Sequence, residues 1–152
     1  MTMLHLPKKM LYALEAVVDI AFNARPDPVQ SKEITKRQGI PLRYLEQVMQ
    51  QLVHGGILKG VRGPRGGYRL ARERRRITAG DVIRVISSAE TEEEETQIFA
   101  SEIGQNVVGP LWEEAQAALL AQLDAVTLED LCQRALDKGR VEAPGDGSHF
   151  EI

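Results

Sequence analysis

The sequence predicts a mainly α-helical chain with one small two-stranded β-hairpin, and three observations lead there. Leu42, Leu45, Val48, Met49, Leu52 and Val53 fall at gaps of three and four, which lays one apolar stripe along a helix of about 14 residues. Gly55-Gly56 stop that helix, because only glycine takes up the left-handed region cheaply. Two short extended runs follow, 57–61 and 67–71, joined by Arg62-Gly63-Pro64-Arg65-Gly66. The third observation is a charge split. Residues 1–89 hold 16 Lys and Arg against 7 Asp and Glu, a net of +9, whereas 90–152 hold 3 against 15, a net of -12. A helix followed by a small basic hairpin is the layout of a winged helix-turn-helix. The basic half calls for a polyanionic partner, and the overall pI of 5.7 does not argue against one.

Taken in order, Pro7 suits the first position of a helix that runs to Asn23 and is ended by Arg25-Pro26-Asp27-Pro28. Its buried face includes Leu11, Leu14, Val17, Val18, Ala21 and Phe22. Ser31 is the expected N-cap of a short helix over SKEITKRQ, with Gly39 as its stop. Gly39-Ile40-Pro41 then separates two short helices, as in a helix-turn-helix pair. After the hairpin comes the RERRR run of 72–76, and then Thr78 with Asp81 three residues later. That spacing resembles a capping box, and it opens a helix that buries Val82, Ile83, Val85 and Ile86. The acidic run ETEEEE marks a boundary, and 98–108 is weakly patterned. From Pro110, Leu111, Trp112, Ala115, Leu119, Leu123 and Val126 stand at helical spacing among helix-favouring Ala and Gln. Thr127 and Asp130 repeat the threonine-to-acid spacing and open a last helix to Asp137, before a polar tail.

Composition narrows the function classes. A chain of 152 residues with 43% hydrophobic content suits one compact domain with an appended helix. No apolar run approaches the roughly 20 residues that span a bilayer. The N-terminus lacks the basic-then-apolar layout of a secretory signal, so the expected location is the cytoplasm. A single cysteine, Cys132, excludes an internal disulfide framework and a clustered-cysteine metal site. It shares an apolar helical face with Leu128, Leu131, Ala135 and Leu136, where cysteine acts as a small hydrophobe. His5, His54 and His149 are scattered, and no metal site or cofactor is expected. No nucleophile, base and orienting acid stand at recognisable spacing, so an enzyme is not expected.

The candidate site residues follow from what each side chain can bond. On the exposed side of the helix from Leu42, Arg43 can donate to guanine, Gln47 can pair with adenine, and Glu46 can accept from a cytosine amino group. Gln50 lies on the same side and is able to read a base edge. Ser31, Lys32 and Tyr44 suit phosphates, which position a protein without specifying sequence. The hairpin offers Lys59, Arg62, Arg65 and Arg69, and arginine on a glycine-rich tip suits a narrow minor groove. At about 21 Å the helix is long enough to insert its N-terminal end into a major groove about 12 Å wide.

These blocks resemble a known family. GIPLRYLEQVMQQLVHGGILKGVRGPRGGYRLA is similar to the signature of the Rrf-two family of bacterial winged-helix regulators. The likeness runs from about Leu11 through SKEITKRQGIP and ITAGDVIRVI to TLEDLCQRA. The resemblance implies that the YLEQ helix inserts into the major groove and the RGP wing into the minor groove. The matching positions are Arg43, Tyr44, Glu46, Gln47, Arg62, Gly63 and Pro64. It also implies that the long helix around 108–125 pairs two subunits, the alternative being packing within one subunit. Two departures stand out. Arg65 replaces a glycine of the family's RGPGGGYRL pattern, and 90–107 lacks the three cysteines with which iron–sulfur members hold their cluster.

The expectation is therefore a homodimeric, sequence-specific regulator of transcription, a repressor rather than an activator, bound to double-stranded DNA without an iron–sulfur cluster. Its parts are a DNA-binding unit over 1–89, an acidic linker or sensor loop over 90–107, a dimerisation and terminal helix over 108–138, and a tail over 139–152. The alternative is an interaction protein that docks to a metabolic enzyme through the acidic part. A small-molecule effector or a protein partner fits either reading.

Overall fold

Helix α1 (Lys8–Asn23) runs through the middle of the core, with Ala13, Ala16, Val17 and Ile20 fully buried. Two alanines on its inner face let neighbouring helices approach closely. Pro7 is the N-cap residue rather than the first helical one, and its carbonyl accepts from the Met10 N–H at 3.0 Å. Of the apolar set expected to be buried, Leu11 remains 43% exposed. The computed structural model describes residues 7–24, 26–88 and 100–139. The acidic run of 90–95, the tail from 140, His5 and His149 lie outside the described residues.

Helices α2 (Ser31–Gln38) and α3 (Leu42–His54) form the helix-turn-helix pair. The expected cap at Ser31 is corrected by one residue. Gln30 is the N-cap and Ser31 is already helical, because the Glu33 carboxylate reaches back to accept from the Gln30 N–H at 2.8 Å. Between the helices Gly39 has φ 70°, and buried Ile40 plugs the turn into the core. Leu45, Val48, Met49 and Leu52 of α3 are fully buried, while Leu42 and Val53 at the stripe's edges stay 47% and 38% exposed. After α3 it is Gly56, at φ 80°, that takes the left-handed conformation. Gly55 does not, and it matters for space: a Cβ there would collide with Val85.

Strands β1 (Leu58–Val61) and β2 (Gly67–Leu70) pair antiparallel, with Leu58 opposite Leu70 and Val61 opposite Gly67. Val29, between α1 and α2, adds an isolated bridge to β2. Its N–H donates to the Tyr68 carbonyl at 3.0 Å, and the Tyr68 N–H donates back at 2.7 Å. The wing is thus laced to the residues that open α2.

A 3₁₀ turn (Arg74–Arg76) leads to α4 (Ala79–Ser88), which buries Val82, Ile83 and Ile86. The Thr78–Asp81 capping box is formed, with both reciprocal bonds at 3.0 Å. The weakly patterned stretch is partly helical: a π-helical turn (Gly104–Val108) runs directly into α5 (Gly109–Asp124). Helix α6 (Leu128–Asp137) opens on the expected Thr127–Asp130 box, at 3.0 and 3.1 Å. Leu128 and Cys132 then join the core that α1 organises. Two backbone bonds of 2.9 Å staple this return to the wing's exit: Ala79 N–H to Val126 carbonyl, and Leu128 N–H to Ile77 carbonyl. Arg84 of α4 grips Asp124 of α5 at 2.5 and 2.7 Å, and those hydrogen bonds hold the Asp124 carboxyl below its usual range.

Gly67 is where the wing meets Val29. A Cβ on it would collide with the Val29 carbonyl. Gly67→Ala is expected to cost about 1–3 kcal/mol, seen as a lower urea midpoint at unchanged slope. An unchanged midpoint would mean that the Val29 bridge does not hold the wing.

Candidate nucleic-acid interface

The hydrophobic stripe of α3 decides which side chains face outward. With Leu45, Val48, Met49 and Leu52 turned into the core, Arg43, Glu46, Gln47 and Gln50 are all exposed. Their spacing of three and four puts them on one face of the helix. At the open end of α2, Lys32 is exposed and Ser31 half-buried. In the wing, Lys59, Arg62, Gly63, Pro64 and Arg65 are exposed, and the Gly66 N–H closes the tip on the Gly63 carbonyl at 2.9 Å. The Val29 bridge brings this hairpin beside the residues that lead into α2.

Charge pairing divides the basic residues in two. Arg72, Arg74, Arg75 and Arg84 are held by Asp81, Glu129, Glu73 and Asp124, and Arg37 by Asp19. The RERRR run is therefore largely committed to carboxylates around the 3₁₀ turn. Lys32, Arg43, Lys59, Arg62 and Arg65 form no ion pair among the described residues. Arginine and lysine left unpaired and exposed keep their positive potential for an outside anion. Arg69 differs from its wing neighbours, since one guanidinium nitrogen donates to the Pro26 carbonyl.

One contributor was not legible from the sequence. Tyr12 of α1 packs its ring against Tyr44, with centroids 6.1 Å apart, and the Arg43 guanidinium lies 5.3 Å from the Tyr44 centroid. This stack restrains Arg43, through a cation–π contact, before any ligand arrives. Tyr12 lies far from the α3 block in the chain, and no spacing rule connects them.

The candidate pairing helix presents a second surface. Leu111, Trp112 and Leu119 are 62%, 47% and 43% exposed, Ala115 is exposed, and Leu123 and Val126 are half-buried. Ile103 and Val107, outside the pairing helix expected from 108, and Val108 at its start extend this apolar face toward the N-terminus. A four-residue step from Ile103 through Val107 to Leu111 was the available signal. Cys132 is 2% exposed and sits in the core as a small apolar side chain, although Leu136, expected on the same face, is 42% exposed. His54 is exposed at the end of α3. Among the described residues no three His, Cys, Asp or Glu side chains converge as a metal-binding group, and no helix is long and apolar enough to cross a membrane.

Comparison with known proteins places this geometry. A family model described as Rrf2, iron-dependent transcriptional regulator, matches residues 6–134. The HTH-type transcriptional regulator IscR of Aliivibrio salmonicida is 33% identical, over 91% of this chain and 86% of its own length. Among solved structures, IscR of T. potens is 34% identical, with a TM-score of 0.73 over 92% of this chain and 94% of that one. CymR, the global cysteine regulator of B. subtilis, is also 34% identical, with a TM-score of 0.65 over 87% of this chain and 98% of that one. The chain therefore belongs to the Rrf2 family of winged-helix transcriptional regulators.

Proposed function

We propose that this regulator works in the cytoplasm as a homodimeric repressor that reads a partly palindromic operator. The observation that carries the reading is the unpaired, exposed set on α3 and the wing, set apart from arginines already matched to carboxylates. Residues 1–89 supply the reader. Arg43, Glu46, Gln47 and Gln50 meet base edges in the major groove, while Ser31, Lys32 and Tyr44 meet phosphates. Lys59, Arg62 and Arg65, with Gly63 and Pro64 at the tip, follow the adjoining minor groove. A protein seated across both grooves excludes others from the same site, which is how a repressor acts.

The exposed face of α5 supports the pairing. Leu111, Trp112 and Leu119 with Ile103 and Val107 leave more apolar surface uncovered than a lone helix keeps in water. Burying each large side chain gains about 1.5–3 kcal/mol. A two-fold axis through such a face presents two α3 helices to half-sites about one helical turn, or a multiple, apart.

The family's iron–sulfur chemistry does not fit this chain. A cluster needs several thiolates, and the one cysteine in the sequence is buried on α6. We read the protein as acting without a cluster.

Selection of bound sequences from a random duplex pool at two salt concentrations tests the proposal, and a palindrome is the expected product. Retention abolished by salt with no enriched sequence would leave only backbone binding. Arg43→Ala or Gln47→Ala is expected to lose discrimination at particular base pairs, by about 1–3 kcal/mol each. Arg65→Ala should weaken binding to all duplexes alike and lower the salt slope by about one. If Arg43→Ala leaves every base preference intact, α3 is misplaced. Leu111→Asp with Leu119→Asp should yield monomers in sedimentation and weaken operator binding by about a hundredfold through lost avidity. A variant that stayed dimeric would remove α5 from the interface.

A further inference from the structure

Asp19 is the only charged residue buried among the described residues, at 3% exposure, and the reading of DNA does not use it directly. It lies on the side of α1 that faces the last turn of α2. Its carboxylate accepts three bonds from that turn. Arg37 Nε donates to Oδ2 at 2.9 Å and Arg37 Nη2 to Oδ1 at 2.7 Å, while Gln38 Nε2 donates to Oδ2 at 2.8 Å. The Asp19 side chain is fully enclosed, and that of Arg37 is 37% exposed. The hydrogen bonds that Arg37 donates to Asp19 are the main reason its guanidinium is held more firmly protonated than usual.

A buried ion pair of this kind is a poor source of net stability, since apolar side chains of similar volume can serve as well. What it supplies is direction. Apolar packing between α1, α2 and α3 favours a crossing angle only to within about 15–20°, whereas a planar fork on a carboxylate has one preferred geometry. Arg37 and Gln38 are the last residues of α2, and only Gly39, Ile40 and Pro41 separate them from the first residue of α3. A helix of eight residues is about 12 Å long, so a tilt of about 10° around the end laced to Val29 moves the Arg37–Gln38 end by about 2 Å. The same rotation shifts the start of α3, where Arg43 stands. A displacement of that size separates a made hydrogen bond from a lost one.

We propose that the Asp19–Arg37–Gln38 clamp is the positioning device that sets the angle of the helix-turn-helix against α1, and with it the sequence discrimination of the protein. This rests on the reading of α3 as the base-reading helix. Phosphate attraction acts over a long range and tolerates a small tilt, whereas bidentate base contacts do not. Loss of the clamp should therefore reduce the preference for the right sequence while leaving affinity for unrelated duplex nearly intact.

The test measures, on the full-length protein, the ratio of affinities for the selected operator and for a scrambled duplex of equal length. Asp19→Asn keeps the shape but turns an amide group toward the donors of Arg37 and Gln38. Arg37→Lys keeps the charge and removes the fork. Each should lower the ratio about tenfold, the scale of one lost base contact, with scrambled-duplex affinity changed by less than about twofold. A variant that is merely less stable loses active protein for both duplexes equally, so the ratio would not move. Gln38→Met, which deletes one donor and leaves the fork, should show a smaller drop in the same ratio and serves if Asp19→Asn fails to fold. Folded variants that keep the wild-type ratio would overturn the clamp and leave the DNA reading standing. A wild-type ratio of one would overturn the DNA reading, and the clamp with it.

Discussion

Close packing around α1 is the constraint on which the other elements depend. Ala13 and Ala16 carry the smallest buried side chains of its inner face, with Val17 and Ile20 beside them, all at zero exposure. Small residues at the centre let several elements share one helix as a common wall. The chain uses it for α2, α3, α4, β2 and α6. The positions of both halves of the helix-turn-helix, and of the wing through Val29, are thereby referred to a single rigid body. A larger side chain at Ala13 or Ala16 would displace several of these elements together.

Electrostatics sorts what packing leaves on the surface. The carboxylates of Glu73, Asp81, Asp124 and Glu129 occupy arginines around the wing's exit and the end of α5. Lys32, Arg43, Lys59, Arg62 and Arg65 stay outside these pairs. Such exposed pairs contribute little to stability. Their larger effect is to confine positive potential to one region, which favours an oriented approach to a polyanion.

Much of the fold was legible because its signals are local. The Thr78–Asp81 and Thr127–Asp130 boxes and the Gly-Pro hairpin each lie within a few residues of chain and formed as expected. The α3 stripe did so at Leu45, Val48, Met49 and Leu52 but not at Leu42 and Val53. The errors were also local and small. Gln30 took the cap expected at Ser31 because Glu33 reaches it, and Gly56 took the left-handed role shared in expectation with Gly55. Contacts that join distant segments could not be read from spacing: Val29 with Tyr68, Tyr12 with Tyr44, and Asp19 with Arg37. Ile103 and Val107 stand eight and four residues before Leu111, an ordinary helical step whose structural continuation is the π-helical turn into α5. The outward face of α3 was foreseeable, since a buried stripe fixes its opposite. The preorganisation of Arg43 on Tyr44 was not.

The return of α6 to the core has a consequence for how the chain is made. Leu128 and Cys132 pack in the same cluster as Ala13, Ala16 and Val17, and the strand-like bridge between Thr78 and Thr127 seals that closure. A protein synthesised from its N-terminus finishes the helix-turn-helix and the wing long before these residues leave the ribosome. Until then α1 lacks one of its walls, and the apolar surface meant for α6 stays wet. Contacts between segments so distant in sequence are slow to form, and partly closed intermediates aggregate readily. The face of α1 that α6 covers thus stays open until Leu128 and Cys132 have been translated, well after the helix-turn-helix and the wing.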